Sequence, residues 1–321
     1  MNFCSTTDYG KAVLLWFVAG AMLSCGATAS GRTLPREPRG AAALVSPVND
    51  NATDASGVDI RSDKADVDAT EGSPAGVPAS VKCQMDTPLP VDIPAGATVE
   101  SLHSLGQQKI QNKESQDAFT ILRKASLMAP KDPVIVADFA VAQLQCGWVQ
   151  QGVETMESAA MMAPENADIA ANLAQAYQMV GRFRAAQMTY QKAVDLAPND
   201  GAIRNNLAVV LVALGDVDAA EKEIRLAIAL DPGETAYLVD LGYILVRQKR
   251  LQDAEIVLER AVAKDSDSAD AYNMLGFVYY HLQHRERAQE NFRKALSINP
   301  QHRGAQENLD ALNAEFHPDT E

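Results

Sequence analysis

Proline recurs along this chain at a fixed interval, and this interval limits what the chain can fold into. The repeated prolines are Pro130, Pro164, Pro198 and Pro232, each 34 residues after the last, and Pro300 after two more intervals. In residues 201–232, one segment places Leu207 and Leu211 on one helical face, and after a turn a second segment does the same with Ile224 and Ala227. The chain is therefore predicted to be a series of helical hairpins, each closed near a proline.

Six repeats fit this interval, and three positions in each repeat hold small residues. The repeats are 99–132, 133–166, 167–200, 201–234, 235–268 and 269–302. The eighth, twentieth and twenty-seventh positions are Ala or Gly throughout: Gly106, Ala140, Ala174, Ala208, Gly242 and Gly276, then Ala118, Gly152, Ala186, Ala220, Ala254 and Ala288, then Ala125, Ala159, Ala193, Ala227, Ala261 and Ala295. These positions predict close contact between helices, because a side chain larger than a methyl group would hold two helices apart. The fifth repeat departs from the pattern, with Lys249 in place of the turn glycine and Ser266 in place of the closing proline.

The repeats resemble the tetratricopeptide repeat (TPR), a pair of helices with a period of about 34 residues. The third repeat is closest to the family pattern, with Tyr177, Gly181, Ala186 and Pro198 at the expected places. The resemblance covers residues 99–302, about two thirds of the chain. It implies an all-α solenoid in which each helix pair packs only on its neighbours.

A capping helix is predicted after the sixth repeat, over residues 303–316. Apolar residues such as Leu309 and Leu312 recur there at helical spacing between polar ones, and Pro318 stops the helix. Residues 317–321 are left as a tail. The predicted fold is thus a TPR α-solenoid of six helix-turn-helix repeats with a C-terminal capping helix.

Residues 1–29 have the composition of a signal peptide. An uncharged apolar run over residues 12–24 follows Lys11, and its length suits a signal-peptide core but is short for a membrane span. An export signal places the rest of the chain in the cell envelope, on the periplasmic side. The protein is then either an outer-membrane lipoprotein or a soluble periplasmic protein.

Three fates of the signal stay open. The sequence Ala-Thr-Ala at residues 27–29 is a cleavage site that leaves Ser30 as the first residue. The sequence Met-Leu-Ser-Cys at residues 22–25 resembles a bacterial lipobox, which leaves a lipid-modified Cys25. The third alternative is an uncleaved anchor over residues 12–29, which carry no charge.

Residues 30–98 are predicted to be a disordered linker. They are rich in Ala, Gly, Pro, Ser and Asp and show no sustained period. Such a segment cannot bury enough apolar surface to offset the entropy of ordering it. It can act as a tether between a membrane-anchored residue and the repeats.

Two of the four cysteines, Cys83 and Cys146, lie beyond the signal segment. In an oxidising compartment they could form a disulfide that holds the segment before the first repeat against the second repeat. The alternative is a buried, apolar Cys146 and an unpaired Cys83.

The first helix of each repeat carries two stripes. Positions four, seven, eight and eleven form the packing stripe, and positions two, five, nine and twelve lie on the opposite side. The second stripe is apolar at many places: Val141, Leu144, Val209, Val212, Val239, Tyr243, Val246, Phe277 and Tyr280. A helix that is apolar on both sides is buried or presents a binding surface.

The family resemblance implies that this second stripe lines a concave groove. The expected ligand is an extended or helical peptide with apolar anchors. The alternative is that the stripe packs inside a tightly wound superhelix or against a dimer partner.

A polar row runs beside the stripe, at the sixth position of the first helices. Some superhelical TPR proteins hold the backbone of a ligand with Asn at this place, because an amide both donates and accepts hydrogen bonds. The candidates for this role are Asn172 and Asn206, with Asn205 and Asn273 nearby. The alternative is that these amides bond locally within the solenoid. A carboxylate clamp for chaperone tails needs a set of Lys and Asn that this chain does not match.

Other chemistry is not indicated. The net charge of −14 argues against a nucleic-acid partner, which needs a basic stripe. His281 and His284 are three residues apart but have no acidic or Cys ligands at matching spacing, so no metal is expected. The sequence has no phosphate-binding loop after a strand and no nucleophile motif. We therefore expect a non-catalytic protein without a cofactor.

An export signal, a tether and six repeats are typical of a protein-binding scaffold of the bacterial cell envelope. The run over residues 203–232 resembles the TadD-type lipoproteins of the Flp pilus assembly system. This resemblance implies a role in assembling a pilus or secretion system, with secretin or pilus components as partners. The alternatives are a pilotin-like lipoprotein of type IV pili, from which the long linker departs, and an accessory subunit or adaptor of an envelope enzyme such as a cell-wall synthase or glycosyltransferase.

Overall fold

A computed structural model describes residues 83–84, 93 and 96–316 of the chain. The predicted signal with Cys25, nearly all of the predicted linker and the tail at 317–321 lie outside the described residues. The described part contains thirteen α-helices and no strand. The predicted all-α TPR solenoid is confirmed.

The helices alternate between the first and the second member of each repeat. They are α1 (Val99–Gln111), α2 (Ser115–Met128), α3 (Pro133–Gln145), α4 (Val149–Met162), α5 (Ala167–Met179), α6 (Phe183–Leu196), α7 (Gly201–Ala213), α8 (Val217–Leu230), α9 (Thr235–Arg247), α10 (Leu251–Lys264), α11 (Ala269–His281), α12 (Arg285–Ile298) and α13 (Arg303–Phe316). Each second helix packs against the first helix of its own repeat and against the first helix of the next. Helix α13 follows the sixth repeat and packs on α11 and α12.

A side chain caps the first helix in five of the six repeats, at the same interval as the repeat. Asp132 accepts hydrogen bonds from the backbone amides of Val134 and Ile135, and Asp200 does the same for α7. Asn166 caps α5 in a similar way. Such caps satisfy amides that have no partner inside the helix. The side chain of Glu234, the corresponding residue before α9, makes no capping hydrogen bond.

The turn between the two helices of every repeat needs one residue with positive φ. The residues at this place are Lys113 (φ 61°), Gly147 (77°), Gly181 (75°), Gly215 (85°), Lys249 (61°) and Gln283 (64°). Glycine adopts this conformation without steric cost, whereas Lys and Gln reach it with some strain. Lys249 therefore raises the conformational free energy of the fifth turn, but the turn keeps the same backbone conformation as the others.

The small residues of the repeat lie where two helices come closest. The Ala residues at the eighth, twentieth and twenty-seventh positions are at most 1% exposed. A Cβ added at Gly242 would lie 2.6 Å from the Leu258 side chain, and one added at Gly276 would lie 2.7 Å from Phe292. These distances are shorter than any normal contact, so the close packing of the helices excludes larger residues here.

No helix in the described part of the chain has both the length and the apolar character that crossing a membrane requires.

Candidate functional site

The first helices form the inner layer of the solenoid. Helices α1, α3, α5, α7, α9, α11 and α13 each contact the next one in this series, whereas second helices contact one another far less. A solenoid curves toward the layer whose members are closest together. The face that the first helices share is therefore the concave face.

The predicted apolar stripe divides into two parts by burial. Four of its members are nearly inaccessible: Leu144 (7% exposed), Val212 (1%), Val239 (1%) and Tyr243 (9%). The other five are half-buried: Val141, Val209, Val246, Phe277 and Tyr280. The buried members pack between neighbouring first helices, as the superhelix alternative expects, and the half-buried members leave an accessible apolar strip on the concave face.

Aromatic rings concentrate this strip in the sixth repeat. The Phe277 ring contacts the His281 ring with centroids 4.4 Å apart, and the Tyr280 ring lies 5.3 Å from His281. Partial desolvation lowers the pKa of His281, so this imidazole is neutral at pH 7. No cluster of potential metal ligands occurs within the described residues, and His281 acts here as part of the aromatic group.

The polar row contains bonded pairs that link neighbouring repeats. His103 Nε2 lies 2.6 Å from Asp138 Oδ2, and the Asn308 amide donates to Asn273 Oδ1 at 2.9 Å. Both pairs join the fifth position of one first helix to the sixth position of the next, 35 residues away. Sequence reasoning did not find these pairs, although their common spacing is visible in the sequence.

Asn205 and Asp240 form a third pair in the same register. Burial raises the pKa of Asp240 to about 7, and the hydrogen bond from Asn205 opposes this rise. The nearby carboxylates of Asp270 and Glu234 contribute to this rise. The Asn205 side-chain oxygen is buried and has no hydrogen-bond partner among the described residues. Asn205 and Asn273 thus bond within the solenoid, as the local alternative expects.

Asn172 and Asn206 differ from the bonded pairs. In the same register they face Ala137 and Ala171, whose side chains cannot form hydrogen bonds. Neither Asn side chain forms a hydrogen bond within the described part of the chain, although Asn172 is only 8% exposed. Two unpaired amides therefore lie on adjacent helices of the concave face, beside the half-buried Val141 and Val209.

The segment before the first repeat is held against the second repeat. Cys83 and Cys146 form a disulfide with their Cα atoms 5.1 Å apart. The Trp148 indole donates to the Cys83 carbonyl at 3.1 Å. Gln116 bonds both backbone groups of Gln84, at 2.8 and 3.1 Å. These contacts lie at the turn end of the first two repeats.

Family models match the third to the sixth repeat. The middle TPR-like domain of cilia and flagella-associated protein 70 matches residues 170–283, and the tetratricopeptide repeat model matches residues 269–302. No curated protein matches the chain. The described part of this chain therefore has the fold of a tetratricopeptide repeat solenoid.

Many solved structures share this fold. A chain of the APC/C hetero-tetramer Cut9-Hcn1 is 19% identical with a TM-score of 0.59, over 67% of this chain and 43% of that chain. PilF of Pseudomonas aeruginosa is 16% identical with a TM-score of 0.56, over 66% of this chain and 97% of that chain. Yeast Tom70 is 19% identical with a TM-score of 0.54, over 67% of this chain and 46% of that chain.

These likenesses show the fold and no particular function. The chain spans less than half of the length of the Cut9-Hcn1 chain and of Tom70. Altogether 385 solved chains match, so the fold is widespread.

Proposed function

We propose that this protein is a non-catalytic scaffold of the bacterial cell envelope that holds a peptide or helix of a partner protein on its concave face. The observation that carries the proposal is the accessible strip of Val141, Val209, Val246, Phe277 and Tyr280. Isolated apolar residues on a surface are ordinary, but four of these residues form a row along three successive first helices, α7, α9 and α11. Val141 is separated from this row by α5, which has Gln175 and Gln178 at the corresponding positions.

The polar groups beside this strip suit a peptide. The Asn206 amide is partly exposed and can donate and accept, so it can bond the backbone of a ligand whatever its sequence. Asn172 is only 8% exposed, so a ligand reaches its amide only at its edge. The apolar side chains of the ligand then contact Val209 and its neighbours. An apolar ligand without a backbone would leave these amides without partners, which costs binding free energy.

Two observations support a place outside the cytoplasm. The apolar run at residues 12–24 has the length of a signal-peptide core. The Cys83–Cys146 disulfide is typical of an oxidising compartment such as the periplasm. We place the repeats in the periplasm, attached to the outer membrane through lipid on Cys25.

Intact mass spectrometry of the protein from native membranes tests this placement. A diacylglyceryl-plus-acyl mass on a chain beginning at Cys25 is the expected result. An unmodified chain beginning at Ser30 would instead make the protein a soluble periplasmic adaptor.

Assembly of a pilus or secretion system is the role we propose within this class. It depends on the resemblance of residues 203–232 to TadD-type lipoproteins. The partner is then a secretin or another pilus assembly component. Loss of surface pili after deletion of the gene, with restoration by the wild-type chain, is the expected result, and normal pili after deletion would contradict this role.

Paired substitutions test the concave face. Val209→Asp with Phe277→Asp adds charge to the accessible strip; both residues are half-buried and also touch the core, so thermal unfolding of the variant must first match that of the wild type. Val212 and Tyr243 are unsuitable because they are buried, and a charge there would unfold the repeats.

Met188→Asp with Ile256→Asp is the matched control, since these apolar residues are 75% and 59% exposed on second helices. Partner capture is measured by quantitative mass spectrometry of co-purified proteins, with circular dichroism to verify the fold. We expect at least a tenfold loss for the strip variant and unchanged capture for the control. Equal capture by both variants would contradict the proposed site.

A further inference from the structure

Two carboxylates face each other on the concave face, where α5 and α7 begin. The second and the last position of a repeat lie opposite each other, as the 3.0 Å contact of Asp270 Oδ1 with His302 Nε2 shows in the sixth repeat. In the third repeat these positions are Asp168 and Asp200. Asp168 is in the first turn of α5, and Asp200 is the N-cap of α7. This junction therefore brings together two groups of the same charge.

The Asp168 carboxylate has no counter-charge in the described part of the chain. The residue is exposed and forms no hydrogen bond or ion pair there. Partial desolvation and the charge of Asp200 raise the Asp168 pKa, and no cation opposes this rise. Arg204, four residues after Asp200, is instead bonded to Glu223 at 2.7 Å. A positive charge from a ligand would therefore be favoured at this junction.

An acidic second position occurs in three of the six repeats, and two of these have an imidazole of the chain beside it. In the first repeat His103, at the fifth position, interacts with the charge of Asp132 at the last position. In the sixth repeat His302 itself stands at the last position. The third repeat has Ala171 at the fifth position and a carboxylate at the last, so neither place supplies a group that can become positive.

Two amides lie beside the carboxylates. Asn172 follows Asp168 by four residues, so the two side chains lie one turn apart on the same side of α5. Asn172 is only 8% exposed and forms no hydrogen bond within the described residues. A buried amide without a partner costs free energy, and N–H donors of a ligand at the edge of Asn172 would recover part of it. Asn206 on α7 adds a second, more accessible amide.

A basic side chain of a peptide fits this set of acceptors. A guanidinium presents five N–H donors in one plane and an ammonium presents three, so either can bond a carboxylate and a neighbouring amide oxygen together. The described residues contain no group of three or more His, Cys, Asp or Glu side chains that could hold a metal ion, which makes a metal a poorer fit. The net charge of −14 also favours the approach of a basic segment.

We propose that Asp168 and Asp200 receive an Arg or Lys side chain of the partner segment that lies on the concave face. The inference rests on the proposed function and deepens it, because it adds a basic residue to the apolar anchors of the ligand. Asn206 and Val209 are three residues apart on α7, so the acceptors lie next to the accessible strip. A basic amphipathic segment is the kind of partner that fits both.

NMR of the full chain with Nα-acetyl-arginine N-methylamide tests the site. The control probe is the citrulline derivative, which has nearly the same shape and no charge. We expect the arginine probe to shift the side-chain amide signals of Asn172 and Asn206 and to bind at least roughly fivefold more tightly than the control, with an affinity that falls as NaCl is raised. It should also lower the Asp168 pKa, because a nearby cation favours the charged carboxylate. Equal binding of both probes would overturn the proposal.

Matched charge removal locates the binding. Asp168→Asn with Asp200→Asn removes both charges, and Asn at residue 200 can still cap α7. Asp195→Asn with Asp310→Asn removes two charges from exposed positions on α6 and α13. We expect at least a roughly fivefold loss of arginine-probe affinity for the first pair and less than about a twofold loss for the second. Equal losses would reduce the effect to net charge and overturn the proposal.

Partner capture separates this inference from the proposed function. Capture that depends on Val209 and Phe277 but not on Asp168 and Asp200 would overturn the inference and leave the proposed function intact. Capture that is insensitive to Val209 and Phe277 would contradict the proposed function, whatever the arginine probe shows. Calcium that displaces the arginine probe at an equal concentration would make the junction a metal site and would also overturn the inference.

Discussion

The two ends of the solenoid are closed by different chemistry. At the N-terminal end, the Cys83–Cys146 disulfide holds the preceding segment, and His103 bonds Asp138 across the first two repeats. At the C-terminal end, α13 covers the last repeat without a covalent link, and Asn308 bonds Asn273 in the same register. The contact between the fifth position of one first helix and the sixth position of the next is thus a titrating pair at one end and a neutral pair at the other.

This difference shows that the stability of the two ends of a repeat protein can depend on different interactions. Each repeat contacts only its neighbours, so local interactions decide how readily an end opens. A disulfide and an ion pair make the N-terminal end sensitive to redox conditions and to pH. At the C-terminal end the corresponding contact is a neutral amide pair and no disulfide is present among the described residues, although His302 also bonds Asp270 at the start of α13.

Removal of the disulfide is expected to have the largest effect. Cys83→Ser with Cys146→Ser opens a loop with a sequence separation of 63 residues. The loss of this cross-link should cost about 4 kcal/mol in the free energy of unfolding. Urea denaturation measures the loss, and hydrogen exchange should place it in α1 and α2. Wild-type protein in a reducing agent should match the variant; unchanged exchange in α1 would contradict the proposed role of the disulfide.

The Asn205–Asp240 pair is a titrating contact between two neighbouring first helices within the solenoid. Burial raises the pKa of Asp240 to about 7, above the ordinary value of 3.8, so the folded state binds this proton more tightly. Stability therefore falls as pH rises from about 4 through about 7, by an amount on the order of 2–4 kcal/mol.

Asp240→Asn should remove most of this fall. The new amide can also donate to the Asn205 oxygen, which is buried without a partner in the described part of the chain. We expect the variant to be more stable than the wild type at pH 8 and about equal to it at pH 4. Thermal unfolding at both values decides this; a variant that is less stable at pH 8 would contradict the assigned cause.

At the C-terminal end, Asn308→Ala should weaken the neutral junction. Asn273 is 1% exposed and would lose its donor, which costs about 1–3 kcal/mol. Gln306→Ala is the control, because Gln306 bonds Asp310 on the exposed surface of the same helix. Hydrogen exchange of α13 should increase for the first variant alone, and the increase should not depend on pH.

The smallest expected effect is the pH response of His103. The hydrogen bond to Asp138 raises the His103 pKa above 6.5. The pair therefore contributes fully below pH 6.5, and its contribution is lost as pH rises through the raised pKa. Exchange of α1 should quicken between pH 6 and pH 8, after correction for intrinsic rates, by the equivalent of roughly 1 kcal/mol. His103→Gln should abolish this change; a response that persists in the variant would locate the titrating group elsewhere.

The sequence was sufficient to predict the helices and their pairing. The interval of 34 residues gave the register, and the small residue at places such as Gly242 marked where helices touch. These properties depend on contacts inside one repeat or between two neighbours. The two cysteines also followed from the sequence, but their proximity depends on the path of residues 84–98, which shows no period.

The accessible part of the concave face could not be predicted in the same way. Val209 and Val212 are three residues apart on one helix, yet the first is half-buried and the second is 1% exposed. The winding of the superhelix, which sums small rotations over all repeats, decides this difference.

Site-specific photo-crosslinking in the native cell tests the central claim that the concave face holds a partner. A benzophenone side chain is introduced at Val209 on the concave face or at Met188, which is 75% exposed on a second helix. We expect a crosslinked partner at Val209 that is lost in the Phe277→Asp background and is absent at Met188. A partner that crosslinks at Met188 and not at Val209 would contradict it.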